Sequence, residues 1–101
     1  MDIIYELEGQ KFVWDKAKAD INFRKNRIPF EEAAYILIAD ETEYFNDDDH
    51  SDEEERIIAI GLSKRLEILT VCHCWRESDT IMRIISARKA TSIEQKLWQY
   101  R

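Results

Sequence analysis

Three apolar runs crowd the second half of the chain: Arg56–Leu62 (RIIAIGL), Leu66–Trp75 (LEILTVCHCW) and Thr80–Ser86 (TIMRIIS). They are rich in Ile and too short for buried helices, so they read as strands. Ser63-Lys64-Arg65 and Glu77-Ser78-Asp79 connect them. A parallel crossover needs a dozen or more residues, so these strands must be antiparallel neighbours. Such a meander, apolar over long stretches, has to be covered by something else in the chain.

The first half supplies the cover. Residues 2–7 and 11–14 flank Glu8-Gly9-Gln10 and read as a hairpin. From Trp14 to about Asn26 the period becomes helical, with Trp14, Ala17 and Ile21 as a narrow apolar stripe. A second helix follows from Phe30, Ala33, Ala34, Leu37 and Ile38, with Pro29 before its first turn and Glu31 and Glu32 inside it. Residues 42–46 suit a short strand and 47–55 an acidic loop. Thr91 and Glu94 match a capping box and open a last helix from Ser92 to Trp98. Two glycines and one proline leave no room for linkers. The expectation is one domain over residues 1–101, of α+β class. An antiparallel sheet of about four strands carries two N-terminal helices packed on it and a short C-terminal helix, with helices on one face.

Charge divides along the same line. Residues 1–55 hold six Lys/Arg against seventeen Asp/Glu, a balance of −11, whereas residues 56–101 hold nine against four, a balance of +5. The acid concentrates in 40–55, DETEYFNDDDHSDEEE. A basic face for a polyanion follows naturally from this asymmetry. No apolar run reaches membrane-spanning length and the first residues lack a signal-peptide pattern, so a cytoplasmic address with no membrane partner is expected. Cys72 and Cys74 share a face of one strand with Cα atoms ~6.5–7 Å apart, at the limit for a disulfide, and read as reduced core thiols.

Arg83 and Arg88 are the chemically loaded residues of the third strand. Arg83 either pairs with a helix carboxylate such as Glu31 or Glu32, or binds phosphate through its planar fork. Arg88-Lys89 precedes a helix N-terminus, where anions are favoured. Strict alternation puts Arg83 and Arg88 on opposite faces, so they share a ligand only if the chain bends after Ser86. His73, Arg76 and Glu77 form a minimal acid/base and charge-stabilising set, although each has a plain structural reading too. Zinc is disfavoured because Cys72, His73 and Cys74 alternate across the strand, and Asp47-Asp48-Asp49-His50 lacks calcium-loop spacing. Trp14 is either core or a stacking platform for a base. Glycine-rich phosphate loops, G-x-S-x-G elbows and dinucleotide fingerprints are missing.

Four segments in order, FVWDKAKADINFRKN (12–26), PFEEAAYIL (29–37), HSDEEERIIAIGLS (50–63) and RIISARKAT (83–91), resemble the BrnT family. Family-like residues are Trp14, Asp15, Lys18, Asn22, Lys25, His50, Ser51, Glu55, Arg56, Gly61, Arg83, Ser86, Arg88 and Lys89. The resemblance implies a RelE-like fold and an RNA endonuclease toxin of a type II toxin–antitoxin system, working without metal or cofactor. It also implies a BrnA-type antitoxin whose DNA-binding domain represses the operon, so that operator DNA is met only through that partner. On this reading Arg83 and Arg88 stabilise the phosphorane, and Glu77 or His73 moves protons. Arg56, Arg76 and Lys18 hold flanking phosphates, with Trp14, Lys25 and Lys89 also on the RNA. The chain departs from the family at Lys25-Asn26-Arg27, where Lys-His-Gly is usual. A non-catalytic binding module on the same scaffold is therefore the alternative, with a metal-dependent enzyme a distant third.

Overall fold

Glu8 and Gly9 both take positive φ, 48° and 83°, which gives the two-residue turn that matches strand twist and joins β1 (Asp2–Leu7) to β2 (Gln10–Asp15). The computed structural model describes residues 1–50 and 55–101. After the hairpin come α1 (Lys16–Asn26), α2 (Phe30–Ile38), β3 (Glu43–Asn46), a single 3₁₀ turn at Asp48–His50, β4 (Ile57–Leu62), β5 (Ile68–Arg76), β6 (Ile81–Lys89) and α3 (Ser92–Gln99). Much of the expected acidic loop, including Ser51, lies outside the described residues.

The sheet corrects the expected four antiparallel strands. Among the described residues it has six, in the order β1-β2-β6-β5-β4-β3, and it is mixed. β4, β5 and β6 form the anticipated antiparallel meander, but β2 runs parallel to β6, with Lys11 beside Ile81 and Val13 beside Arg83. The signal was in the hairpin itself. Phe12, Val13 and Trp14 are consecutive and all buried, as in a strand covered on both faces inside a sheet. The intervening helices and meander supply the long connection that a parallel neighbour needs.

α2 covers one face. Its Phe30, Ala33, Ala34 and Leu37 join Phe12, Trp14, Ala59, Leu69, Val71, Met82, Ile84 and Ala87 in one core. Gly61 lies under the end of this layer: a Cβ there would come within 2.5 Å of Thr42 Oγ1, which donates to the Ile36 carbonyl. The helices do not all share that face. Glu94 of α3 reaches Thr70 and Arg88, whose strand register points them to the opposite side from Val71 and Ala87.

α1 departs most from the apolar-stripe expectation. Trp14 belongs to β2, Ile21 is exposed, and the buried residue of the helix is polar Asn22. Asn22 Nδ2 donates to the Ala87 carbonyl at 2.9 Å and to the Ile28 carbonyl at 3.2 Å, while its Oδ1 accepts from the Ala87 N–H at 3.1 Å. The amide thus pairs with the backbone of β6 as a neighbouring strand would. It does so beyond Arg83, the last β6 residue that β2 pairs. Asn26 Nδ2 adds bonds to Asn22 Oδ1 and the Ala87 carbonyl, both 3.2 Å. Arg27 then closes α1 in the left-handed conformation, φ 62°, where a glycine would sit without the roughly 1–2 kcal/mol penalty of a side chain.

β6 is also irregular. Ser86 pairs with Cys72, but Ile84 pairs with His73, so Ile85 is an extra residue in the strand. The bulge flips the alternation: Arg83 opposite Cys74 and Arg88 opposite Thr70 now point to one face. Replacing Asn22 by Ala takes the partner from the Ala87 N–H and a donor from the Ile28 carbonyl in a buried setting, while Asn26 still reaches the Ala87 carbonyl, and is expected to cost about 2–3 kcal/mol. Urea unfolding should show a lower midpoint with an unchanged slope.

Candidate phosphate-binding site

Four cations from four separate segments meet beside the bulge. Lys18 of α1, Arg56 immediately before β4, Arg76 at the end of β5 and Arg83 of β6 line a cavity of about 270 Å³, with Asp15, Ile84 and Ile85. Asp15 caps α1 by accepting from the Lys18 N–H at 3.0 Å, which sets Lys18 one turn into the helix and over the cavity. The same hydrogen bond leads in holding the Asp15 carboxyl below its usual range, so the carboxylate stays ionised among the cations. Arg83 leans on Asp2 through contacts of 3.4 and 3.5 Å, long for a guanidinium–carboxylate pair. The arrangement is a concave, positively charged seat with a partly apolar floor. Its chemistry is that of binding and stabilising a phosphate-borne charge.

Other residues singled out in the sequence lie elsewhere. Trp14 is 3% exposed and packs edge-on to Phe30, so its indole belongs to the core rather than to a stacking platform. Lys25 is exposed near the far end of α1. Glu77 is exposed in a turn whose three residues Glu77, Ser78 and Asp79 all have positive φ, and does not line the cavity. Lys89 pairs with Glu67 at 3.0 Å. Arg88 shares the face of Arg83 but is held by Glu94 in a two-pronged pair, 2.6 and 2.9 Å. Glu94 also accepts from Thr70 Oγ1 and the Thr91 N–H, and with Arg88 foremost its carboxyl is pushed down to about 2. Arg88 is thus the anchor of α3. The side chain of His50 and all of Ser51 lie outside the described residues.

His73 is 1% exposed and points to the core face, away from the cations. It stacks edge-on with Tyr44 and borders a separate cavity of about 490 Å³ with Trp75 and Met82. Burial pushes its imidazole down to about 4, against the weaker opposing effect of a hydrogen bond to the Ile57 backbone, so it is neutral at pH 7. Burial likewise pushes the Cys72 thiol up to about 11, and neither Cys72 nor Cys74 is in a disulfide. Among the described residues no group of three or more His, Cys, Asp or Glu is placed to hold a metal ion. No described helix is long and apolar enough to cross a membrane. Asp15 is the cavity residue that sequence reasoning left out of the site, although an Asp before a helix start is a visible N-cap signal.

The structure is that of an α+β domain with four cations around a cavity at a bulged strand. Its family is shown by sequence: the model described as "Ribonuclease toxin, BrnT, of type II toxin-antitoxin system" matches residues 14–94, and the chain belongs to that family. The 1.1 Å crystal structure of the Brucella abortus ribonuclease toxin BrnT is similar in fold, with a TM-score of 0.59 and 23% identity over 78% of this chain and 94% of that one. No curated protein matches the chain.

The buried His73 gives a measurable pH dependence. Its folded pKa of about 4 lies below the ordinary 6.5, so the unfolded chain takes up the proton first. Stability should therefore fall as pH drops from 6.5 towards 4, by on the order of 3 kcal/mol, with no contribution above 6.5. Glu94 acts lower: its pairing stabilises above the ordinary 4.5 and is lost as pH falls towards 2. Unfolding free energies across this range should lose the upper slope in His73→Gln and only the lower one in Glu94→Gln.

Proposed function

We propose that the chain is the toxin of its system, an endoribonuclease that cuts RNA without a metal ion on a RelE-like scaffold in the cytoplasm. The observation that carries this is the convergence of Lys18, Arg56, Arg76 and Arg83 on one cavity in a chain of net charge −6. Cations drawn from a helix, two strands and a strand entrance converge on one concavity, and a phosphodiester is a ligand whose oxygens suit several of them at once. In the reaction the 2′-oxygen loses its proton and attacks phosphorus, the bond to the 5′-oxygen breaks, and that oxygen is protonated. A 2′,3′-cyclic phosphate and a 5′-hydroxyl remain. Charge builds on the phosphorane oxygens between these events, and Arg83, with Arg56 and Arg76 beside it, is placed to stabilise it. Lys18 holds a flanking phosphate.

Proton transfer is the weaker half of the machinery. Asp15 is the carboxylate among the described lining residues, and its lowered pKa makes it a poor base. The rate enhancement accordingly rests on charge stabilisation. That weakness, together with Asn26 bound to Asn22 and Ala87, is what favours the second reading, an RNA-binding module that does not cut. The family implies an antitoxin partner. Its being BrnA-like, and its carrying the DNA-binding domain that meets the operator, belong to this proposal.

The test is cleavage of an end-labelled RNA in excess chelator. Cleavage should persist and leave cyclic phosphate ends, and Arg83→Ala should slow it about 10²–10³-fold. Arg88→Ala should instead lower stability by loosening α3 while leaving the rate of the folded protein near the parent. Chelator-sensitive cleavage, or an unaffected Arg83→Ala protein, contradicts the assignment. Tight RNA binding with no cut supports the second reading.

A further inference from the structure

Among the described residues β1 is an open sheet edge whose protection is limited to the charges of Asp2 and Glu6. It is the outer strand of the six, it is six residues long, and its sequence Asp2–Leu7 contains no proline, lysine or bulge. The Lys16 N–H bonds to the Met1 carbonyl, so alternation makes Ile3, Tyr5 and Leu7 the residues bonded to β2. The N–H and C=O groups of Asp2, Ile4 and Glu6 therefore point outward. Their side chains share a face with Val13 and Arg83, opposite the α2 layer, and Ile4 is 62% exposed there between the two acids. The far edge, β3, is shorter at four residues, and Arg101 already reaches Glu43 beside it.

We propose that β1 is a docking edge for an extended basic segment of a partner protein, added as a seventh strand. The fitting pattern is cation, any residue, apolar, any residue, cation. The apolar side chain covers Ile4, and the two cations lie opposite Asp2 and Glu6. A second copy of this chain is the poorer occupant. Antiparallel self-pairing centred on Ile4 sets Asp2 directly against Glu6 of the other strand, and like charges in that position repel. The edge borders the cationic cavity through the Asp2–Arg83 contact, so an added strand sits beside the proposed phosphate seat.

Peptide binding in the absence of RNA tests this independently of any cleavage. The probe is a nine-residue synthetic peptide built around Lys-Thr-Val-Thr-Lys, titrated into the full chain and followed by amide NMR shifts and hydrogen exchange. The Asp2, Ile4 and Glu6 amides should shift and become protected. A peptide with Glu in place of both Lys should bind at least about tenfold more weakly. Ile4→Pro removes an outward N–H and no bond to β2, so it should keep the fold and weaken the Lys peptide by about tenfold or more. Glu6→Lys should bring the Glu peptide's affinity closer to that of the Lys peptide. Protection at β3 or at the cavity instead, equal affinity for both peptides, or concentration-dependent dimerisation through β1 overturns the proposal.

Discussion

The extra residue at Ile85, two positions before the Ala87 backbone that the Asn22 amide pairs, is the constraint on which the site depends. Without the bulge, alternation would turn Arg83 and Arg88 to opposite faces. With it both face away from the α2 layer, and the strand at Ile84 and Ile85 borders the cavity around which Lys18, Arg56, Arg76 and Arg83 gather. Beyond Arg83 β2 no longer pairs β6, and the Ala87 N–H and C=O that face that side must be satisfied some other way. Asn22 does this from α1, in the stretch of β6 that β2 does not pair. The same bonds fix the position of the helix whose first turn carries Lys18.

This explains how α1 can belong to the structure with so little apolar burial. Its anchor is polar and directional, a buried amide matched to one peptide group, with Asn26 reinforcing it. Such an anchor specifies position more sharply than a hydrophobic stripe, because an amide displaced by an ångström loses its bonds outright. The two arginines then diverge in role although they share a face. Arg88 is neutralised by Glu94 and ties α3 down, while Arg83 has long contacts to Asp2 and borders the cavity.

The sequence was legible where a local rule settled the matter. The meander followed from apolar runs with short connections, α2 from its 3.6 period, and the α3 start from the capping box at Thr91 and Glu94. The parallel pairing of β2 with β6 was not legible, because a long connection does not specify which strand it returns to. Phe12-Val13-Trp14 did signal an inner strand, but Trp14 also fitted a helix stripe. For the site, Lys18, Arg56, Arg76 and Arg83 were readable as cations that suit phosphate, yet their meeting depends on the bulge. That feature requires the pairing partners. His73 and Glu77 looked like chemistry by spacing alone, and spacing along a strand says nothing of the face. His73 turned to the core, and Glu77 to a solvent-facing turn.

The central claim is that the four-cation cavity, rather than the Arg88 end of the same face, seats an RNA phosphate. Side-chain NMR of the arginine and lysine groups during titration with a 2′-O-methyl dinucleotide, which binds but lacks the attacking hydroxyl, tests it most directly. The account predicts that Arg83, Arg56, Arg76 and Lys18 signals move together and return as salt is raised, while Arg88 stays on Glu94. Movement centred on Arg88 and Lys89, with Arg83 silent, would contradict it.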